Sequence, residues 1–293
     1  MSVQITTAFV EQYRGNVEHL VQQKGSRLRD SVRNETVTGK NGFFEQLGEV
    51  SAQKRTSRHS DTPRVDTPSA RRRVSLVDYD VADLIDKEDE VRTLVSLTGP
   101  YAESQAMALG RAMDDEIIAA ADGTAFTGVD GSTSTAFDTN NVVDVQVGGS
   151  SSDVGLNVAK LRAASEILNA SDIDPEIERY LVLNAKQLKN LLAEEKATSS
   201  DYTTIKALVQ GEIDSFLGFT FIRTQRIGTD SNSDDKVLFY AKSGLLLASG
   251  AEAQVRISER DDKNYATQVF ASMTIGATRM QEKLVGYIEC DPS

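Results

Sequence analysis

The chain has 293 residues, a formal net charge of −12, 39% hydrophobic residues and no tryptophan. That length predicts one elaborated domain or two small ones, and the modest apolar share predicts extended parts that bury their apolar faces on neighbours. The acidity argues against a protein that grips phosphate backbones. A single cysteine, Cys290, excludes an intrachain disulfide framework or a Cys-based metal cluster. No apolar run approaches the ~20 residues that span a bilayer, and Met1-Ser2-Val3-Gln4 lacks the order of a signal peptide, so synthesis in a reducing cytoplasm is expected.

The charge is unevenly spread. Residues 1–40 sum to +2, residues 41–53 to −2, residues 54–73 to +5 and residues 74–293 to −17. A basic N-terminal quarter beside an acidic remainder suits contact between copies of one chain at least as well as contact with nucleic acid.

In chain order, Ile5, Phe9, Tyr13, Val17, Leu20 and Val21 follow the spacing of one helical face, and Gly25 supplies a stop. This predicts an amphipathic arm, docked on a neighbour or on its own domain. Residues 31–73 are polar, carry Gly39, Gly42, Pro63 and Pro68, and are flanked by Phe43-Phe44 and by Val74, Leu76 and Val77. The pattern predicts a long two-stranded excursion with a polar tip, its strands ~14 residues each and reaching roughly 45 Å. Such a projection is unstable alone.

Thr98-Gly99-Pro100 opens the clearest helix, Tyr101 to about Ala121, with apolar Met107, Leu109, Met113, Ile117 and Ile118 and a stop at Gly123. Residues 123–155 predict a hairpin or flap around the strand-like run 142–147, and a second helix follows over about 156–170. An α/β cadence comes next: strand 180–183, helix 185–195, an apolar stretch 205–209, strands 219–224 and 237–240, and a run 245–248 closed by Gly250. Alternation at Val255, Ile257, Val269, Ala271, Met273 and Ile275, and the run 284–288, predict late strands that close back onto the long helix. The class is α+β, with the middle unit inserted into another.

Catalytic material is sparse. His19 and His59 are the two histidines, too few for a multi-His metal site, and His59-Ser60-Asp61 are consecutive, whereas a triad converges from separated positions. Gly123, Gly128 and Gly131 fit neither a dinucleotide fingerprint nor a P-loop, and predict a turn-rich hairpin. Asp114-Asp115-Glu116 point around a helix circumference and predict a solvated or inter-subunit face. No catalytic residue, metal or cofactor is expected. Arg71-Arg72-Arg73 precede Asp78, Asp80, Asp83, Asp86, Glu88 and Glu90, and these arginines either meet carboxylates of a neighbouring copy or form a solvated run, with contact to nucleic acid third because the run lacks interleaved aromatics and the remainder of the chain is acidic.

These residues resemble a family. The opening from Ala8 to Tyr13, the run Asn16 to Arg29, the segment Asp61 to Val74, Asp86-Lys87-Glu88-Asp89, Arg111 to Asp115 and Gly211 to Phe219 are similar, in order, to tailed-bacteriophage major capsid proteins with the Hong Kong 97-type fold. The resemblance implies an N-terminal arm (1–40), an extended E-loop (41–95), a peripheral domain on a spine helix (96–175 and 251–293) and an axial domain (176–250). It implies hexamers and pentamers closing an icosahedral shell around double-stranded DNA held without sequence-specific contact. Separate scaffolding, portal and decoration proteins are the implied partners, with no membrane. Phe9, Tyr13, Val17, Arg64, Arg71, Arg72 and Arg73 are then the expected inter-subunit contacts. Covalent crosslinking, which some members carry out from an E-loop lysine, is not carried over to Lys54, the only lysine at the loop tip. The alternatives are an encapsulin-like cellular shell and a nucleotide-using α/β enzyme on residues 176–250.

Overall fold

The structure, a computed structural model, describes residues 22–55, 57–58, 64–87, 98–150, 152–174, 176–193 and 215–292. Helix α1 (Thr98–Asp122) is its spine, about 37 Å long at the usual rise per residue. Pro100 sits in the first turn, where its missing N–H is no loss, and the Gly123 N–H donates to the Ala119 carbonyl to close the end.

Under α1 lies a four-stranded sheet ordered β1 (Arg33–Thr36), β12 (Leu245–Arg260), β13 (Ala266–Arg279), β4 (Val77–Ile85). Leu109 and Ile117 of the helix meet Leu245, Leu247, Ala271, Met273 and Ile275 in one core. The strand β4 corrects the expected loop span of 41–95. Its residues 77–85 pair with β13 from Ile275 back to Thr267, because Tyr79 and Val81 alternate onto the helix-facing side.

A second, six-stranded sheet runs β7 (Val142–Val143), β14 (Val285–Cys290), β11 (Asp235–Ala241), β8 (Arg179–Leu183), β10 (Phe219–Arg223), β9 (Ser215–Phe216). Its central strands β8 and β11 are buried on both faces, so Leu181–Leu183 and Val237–Ala241 read as unbroken apolar runs. Leu181, Leu183, Val237 and Phe239 pack toward helices α2 (Val158–Ala170) and α3 (Ala185–Ala193), while Val182, Leu238 and Tyr240 join the core beneath α1. The late strands β12 and β13 lie against the spine helix as expected. The C-terminal strand β14 pairs antiparallel with β11, its Val285 still joins the core beneath α1, and α2 covers the other face of this sheet. Of the run 142–147 only Val142–Val143 is strand. The expected stretch 205–209 lies outside the described residues.

The third sheet, β2 (Asn41–Leu47), β3 (Ser69–Ser75), β5 (Ala125–Thr127), β6 (Thr133–Thr135), carries the excursion. Its two main strands are seven residues each, half the expected length, and the described residues between them, 48–55, 57–58 and 64–68, are in no strand. Gly128 and Gly131 have positive φ in the β5–β6 turn, as the glycine spacing predicts.

Candidate assembly interface

Register decides what the excursion shows to its surroundings. Asn41 faces Ser75 and Leu47 faces Ser69, so the period of two sorts the side chains into opposite faces. On the inner face Val74 and Phe44 pack with Val37, Leu246, Ala248 and Met280, and Gln46 Nε2 donates to the Met280 carbonyl at 2.6 Å. The hairpin is therefore fixed at its base.

Arg72 shares that inner face. Its Nε donates to the Met280 carbonyl at 3.0 Å, and Nη2 lies 2.5 Å from Glu282, with the side chain only 6% exposed. Glu282 is also held by Arg279, which is fully buried, donates to the carbonyls of Ala121 (2.9 Å) and Gly123 (2.8 Å), and stacks 5.2 Å over Phe137. One carboxylate thus joins the excursion to the last turn of α1, whose carbonyls have no helical partner. The expectation that Arg71, Arg72 and Arg73 all reach a neighbouring copy is corrected for Arg72. In a strand the middle of three consecutive residues points away from its flanks.

Arg71 and Arg73 lie on the outer face. Arg71 pairs with Glu45 at 2.5 Å, donates to the Val129 carbonyl at 3.3 Å and stands 5.7 Å over Phe43, while Arg73 stands 4.6 Å over Phe126. Gly131 permits this approach, since a Cβ there would lie 2.7 Å from Arg73 Cβ. Of eleven exposed large apolar side chains among the described residues, six (Phe43, Leu47, Val50, Val65, Phe126 and Val129) belong to this hairpin, its tip or the adjoining turn. Leu47 is 79% exposed and Val129 80%. Scattered single apolar residues need no explanation, but this concentration beside Arg71 and Arg73 makes the face a candidate interaction surface. At the tip Arg64 is solvated, 3.6 Å from Asp66. Phe9, Tyr13, Val17, His19 and His59 lie outside the described residues.

The acidic run in α1 also differs from expectation. Asp114 is fully buried and accepts from the backbone N–H groups of Arg27 and Leu28 at 3.1 Å, from Ser26 Oγ at 2.5 Å and from Gln23 Nε2. Gly110 lets the incoming chain pass close by, because a Cβ there would lie 2.6 Å from Gly25 Cα. This carboxylate pins the chain that leads in from residues 1–21. Asp115 binds Arg226, and Glu116 accepts from the Tyr79 hydroxyl at 2.8 Å; burial first, and then that bond, push the Tyr79 phenol up to about 12. Lys160 is buried too, its ammonium given to the carbonyls of Val154 (2.5 Å) and Glu289 (2.8 Å), and burial lowers its pKa. Among the described residues no group of His, Cys, Asp and Glu is placed to hold a metal, and no helix is long and apolar enough to cross a membrane.

The sequence matches a family model described as phage capsid protein over residues 5–292. The chain belongs to the phage capsid protein family. It is thus a major capsid structural protein, located in the virion capsid and building a shell from copies of itself. Solved capsids share the subunit's fold at low identity. The capsid of cyanophage P-SCSP1u is 16% identical with a TM-score of 0.74, covering 98% of this chain and 94% of that one. The capsid of Ralstonia phage GP4 is 12% identical with a TM-score of 0.73, covering 97% of each chain. For Helicobacter pylori bacteriophage KHP30 the identity is 10% and the TM-score 0.72, covering 100% of this chain and 98% of that one. A search of curated proteins finds no match. A capsid subunit works through surface that its own chain leaves uncovered, and the outer hairpin face is such a surface.

Proposed function

We propose that this subunit assembles in the Hong Kong 97 manner, as hexamers and pentamers closing an icosahedral shell around double-stranded DNA, and catalyses nothing. Residues 1–40 serve as the arm, which joins the long sheet through β1, the β2–β3 hairpin as the E-loop, the long sheet with α1 as the peripheral part and the six-stranded sheet as the axial part. Assembly takes place in the host bacterial cytoplasm with separate scaffolding, portal and decoration proteins.

The observation that carries this reading is the outer face of the hairpin. Apolar side chains on a sheet face are stabilised when that face is covered, and here the inner face is covered by its own subunit while Phe43, Leu47, Phe126 and Val129 are left outside. A neighbouring copy supplies the cover. Arg64, Arg71 and Arg73 bring positive charge to a chain whose residues 74–293 sum to −17, which favours that docking and opposes mispairing.

Replacing Leu47 and Val129 together by aspartate tests it. Both side chains are about four-fifths exposed, so the subunit keeps its circular dichroism and melting temperature. Two carboxylates buried against a neighbour without partners cost several kcal/mol, of order 2–5 per interface, and closed shells are lost. Normal shells from the double variant would overturn the proposal.

A further inference from the structure

The long sheet ends in an uncovered edge. β1 pairs with β12 only from Leu246 to Ser249, and from residue 250 to 260 the outer edge of β12 has no strand beside it among the described residues. Residues 250–259 are all exposed. The pairing of β12 with β13 is irregular between Ser249 and Gln254 and regular from Gln254 to Arg260. In the regular part Val255, Ile257 and Glu259 share the face of Val269 and Ala271, toward α1, while Gln254, Arg256, Ser258 and Arg260 share the other. Val255 is 41% exposed and Ile257 55%.

We propose that this edge pairs antiparallel with the same edge of a second copy, across a two-fold axis at Ile257, over Gln254–Arg260. The sequence selects that register. Partners across an antiparallel pair lie on the same face, so the axis must pass through a residue position. An axis at Arg256 sets two guanidinium groups directly opposite, and one at Ser258 sets Arg256 opposite Arg260 of the partner subunit; like charges so placed are unfavourable. An axis at Val255 runs the pairing back into the irregular segment. With the axis at Ile257, the midpoint of the regular run, isoleucine meets isoleucine, Val255 meets Glu259 of the partner subunit, Gln254 meets Arg260 of the partner subunit, and Arg256 meets Ser258 of the partner subunit. No like charges face, and the outward-pointing backbone groups of alternate residues over Gln254–Arg260 find partners. Charged residues on an edge ordinarily guard it against such pairing; here their order permits one register.

The inference rests on the reading of the chain as a shell subunit, and an isologous contact is what joins two capsomers at a two-fold. The test is cysteine crosslinking in assembled shells, with Ile257→Cys and, as register control, Ser258→Cys. Both side chains are exposed and Cys290 is buried, so folding and the wild-type background are unaffected. On mild oxidation and non-reducing electrophoresis, the Ile257→Cys shells give about tenfold more disulfide dimer than the Ser258→Cys shells, since only residue 257 meets itself within disulfide reach. Shells that form while Ile257→Cys remains monomeric on the gel would overturn the pairing and leave the shell reading intact. Equal or greater dimer from Ser258→Cys would overturn the register. If the wild type forms no shells the shell reading falls, and the same comparison on the soluble protein still decides the pairing.

Discussion

Replacing Glu282 by alanine is expected to destabilise the subunit by roughly 3–5 kcal/mol, the usual cost of removing one partner from a buried ion pair. Glu282 is the one carboxylate between Arg72 and Arg279, whose side chains are 6% and 0% exposed. Without it two guanidinium groups lie buried with no counter-charge, and Arg72 Nη1 already has no partner. Arg72→Met is the informative contrast. It removes one buried charge and leaves Glu282 with Arg279, and apolar replacement of a buried ion is often close to neutral, within about 1 kcal/mol. Urea denaturation of isolated subunits measures both. A Glu282→Ala midpoint matching wild type, or an Arg72→Met loss as large as that of Glu282→Ala, would contradict the assignment of Glu282 as the bridge. Shell-assembly variants should accordingly target Arg71 and Arg73 and spare Arg72, whose replacement by glutamate damages the subunit before any interface is formed.

Asp114→Ala is expected to cost about 2–4 kcal/mol, because removing an acceptor leaves buried donors unsatisfied and hydrogen bonds to charged groups are the stronger kind. The backbone N–H groups of Arg27 and Leu28 and the hydroxyl of Ser26 all point at that carboxylate. Loss of the anchor also has a local signature. Lys24 and Arg27 are exposed but their backbone is held, so once it is freed trypsin cleaves there at concentrations that leave wild type intact. Asp114→Asn keeps one acceptor oxygen and recovers part of the loss. Unchanged stability together with unchanged cleavage would show that Asp114 does not hold the incoming chain.

The spine helix was legible because local signals agree: a helical stripe, Pro100 at one end and Gly123 at the other. Strands β8 and β11 were legible as short unbroken apolar runs. The assignment of residues 77–85 failed for a physical reason, since alternation reveals a half-buried strand but not its partner, and β13 lies nearly two hundred residues away. The same holds for β14, whose apolar run fits either sheet equally well. Charged anchors were hardest to see, because burial of a charge depends on remote partners: Arg72 and Glu282 are 210 positions apart, and Asp114 and Arg27 are 87. Each nevertheless left a trace. Arg72 is the inward member of an alternating strand, and Asp114 sits on the stripe Met107, Gly110, Ile117 and Ala121, where a solvated acid would not be placed. The arm residues Phe9, Tyr13 and Val17 remain proposals from their spacing.

The outer face of the hairpin was partly legible. Arg71 and Arg73 were singled out from the sequence, while Phe126 of strand β5 and Val129 of the turn after it carry no interface signal in their composition. Only the β3–β5 pairing brings Phe126 beside Arg73. The proposed docking surface is therefore assembled from two hairpins.

The central claim, that the chain is a shell-forming subunit, is tested most directly by electron microscopy of the purified protein, with analytical sedimentation of the same sample. The account predicts rings or closed symmetric shells built from many copies of the chain, sedimenting far ahead of a single subunit. A folded monomer as the sole species at every concentration, with or without a scaffolding protein, would contradict it.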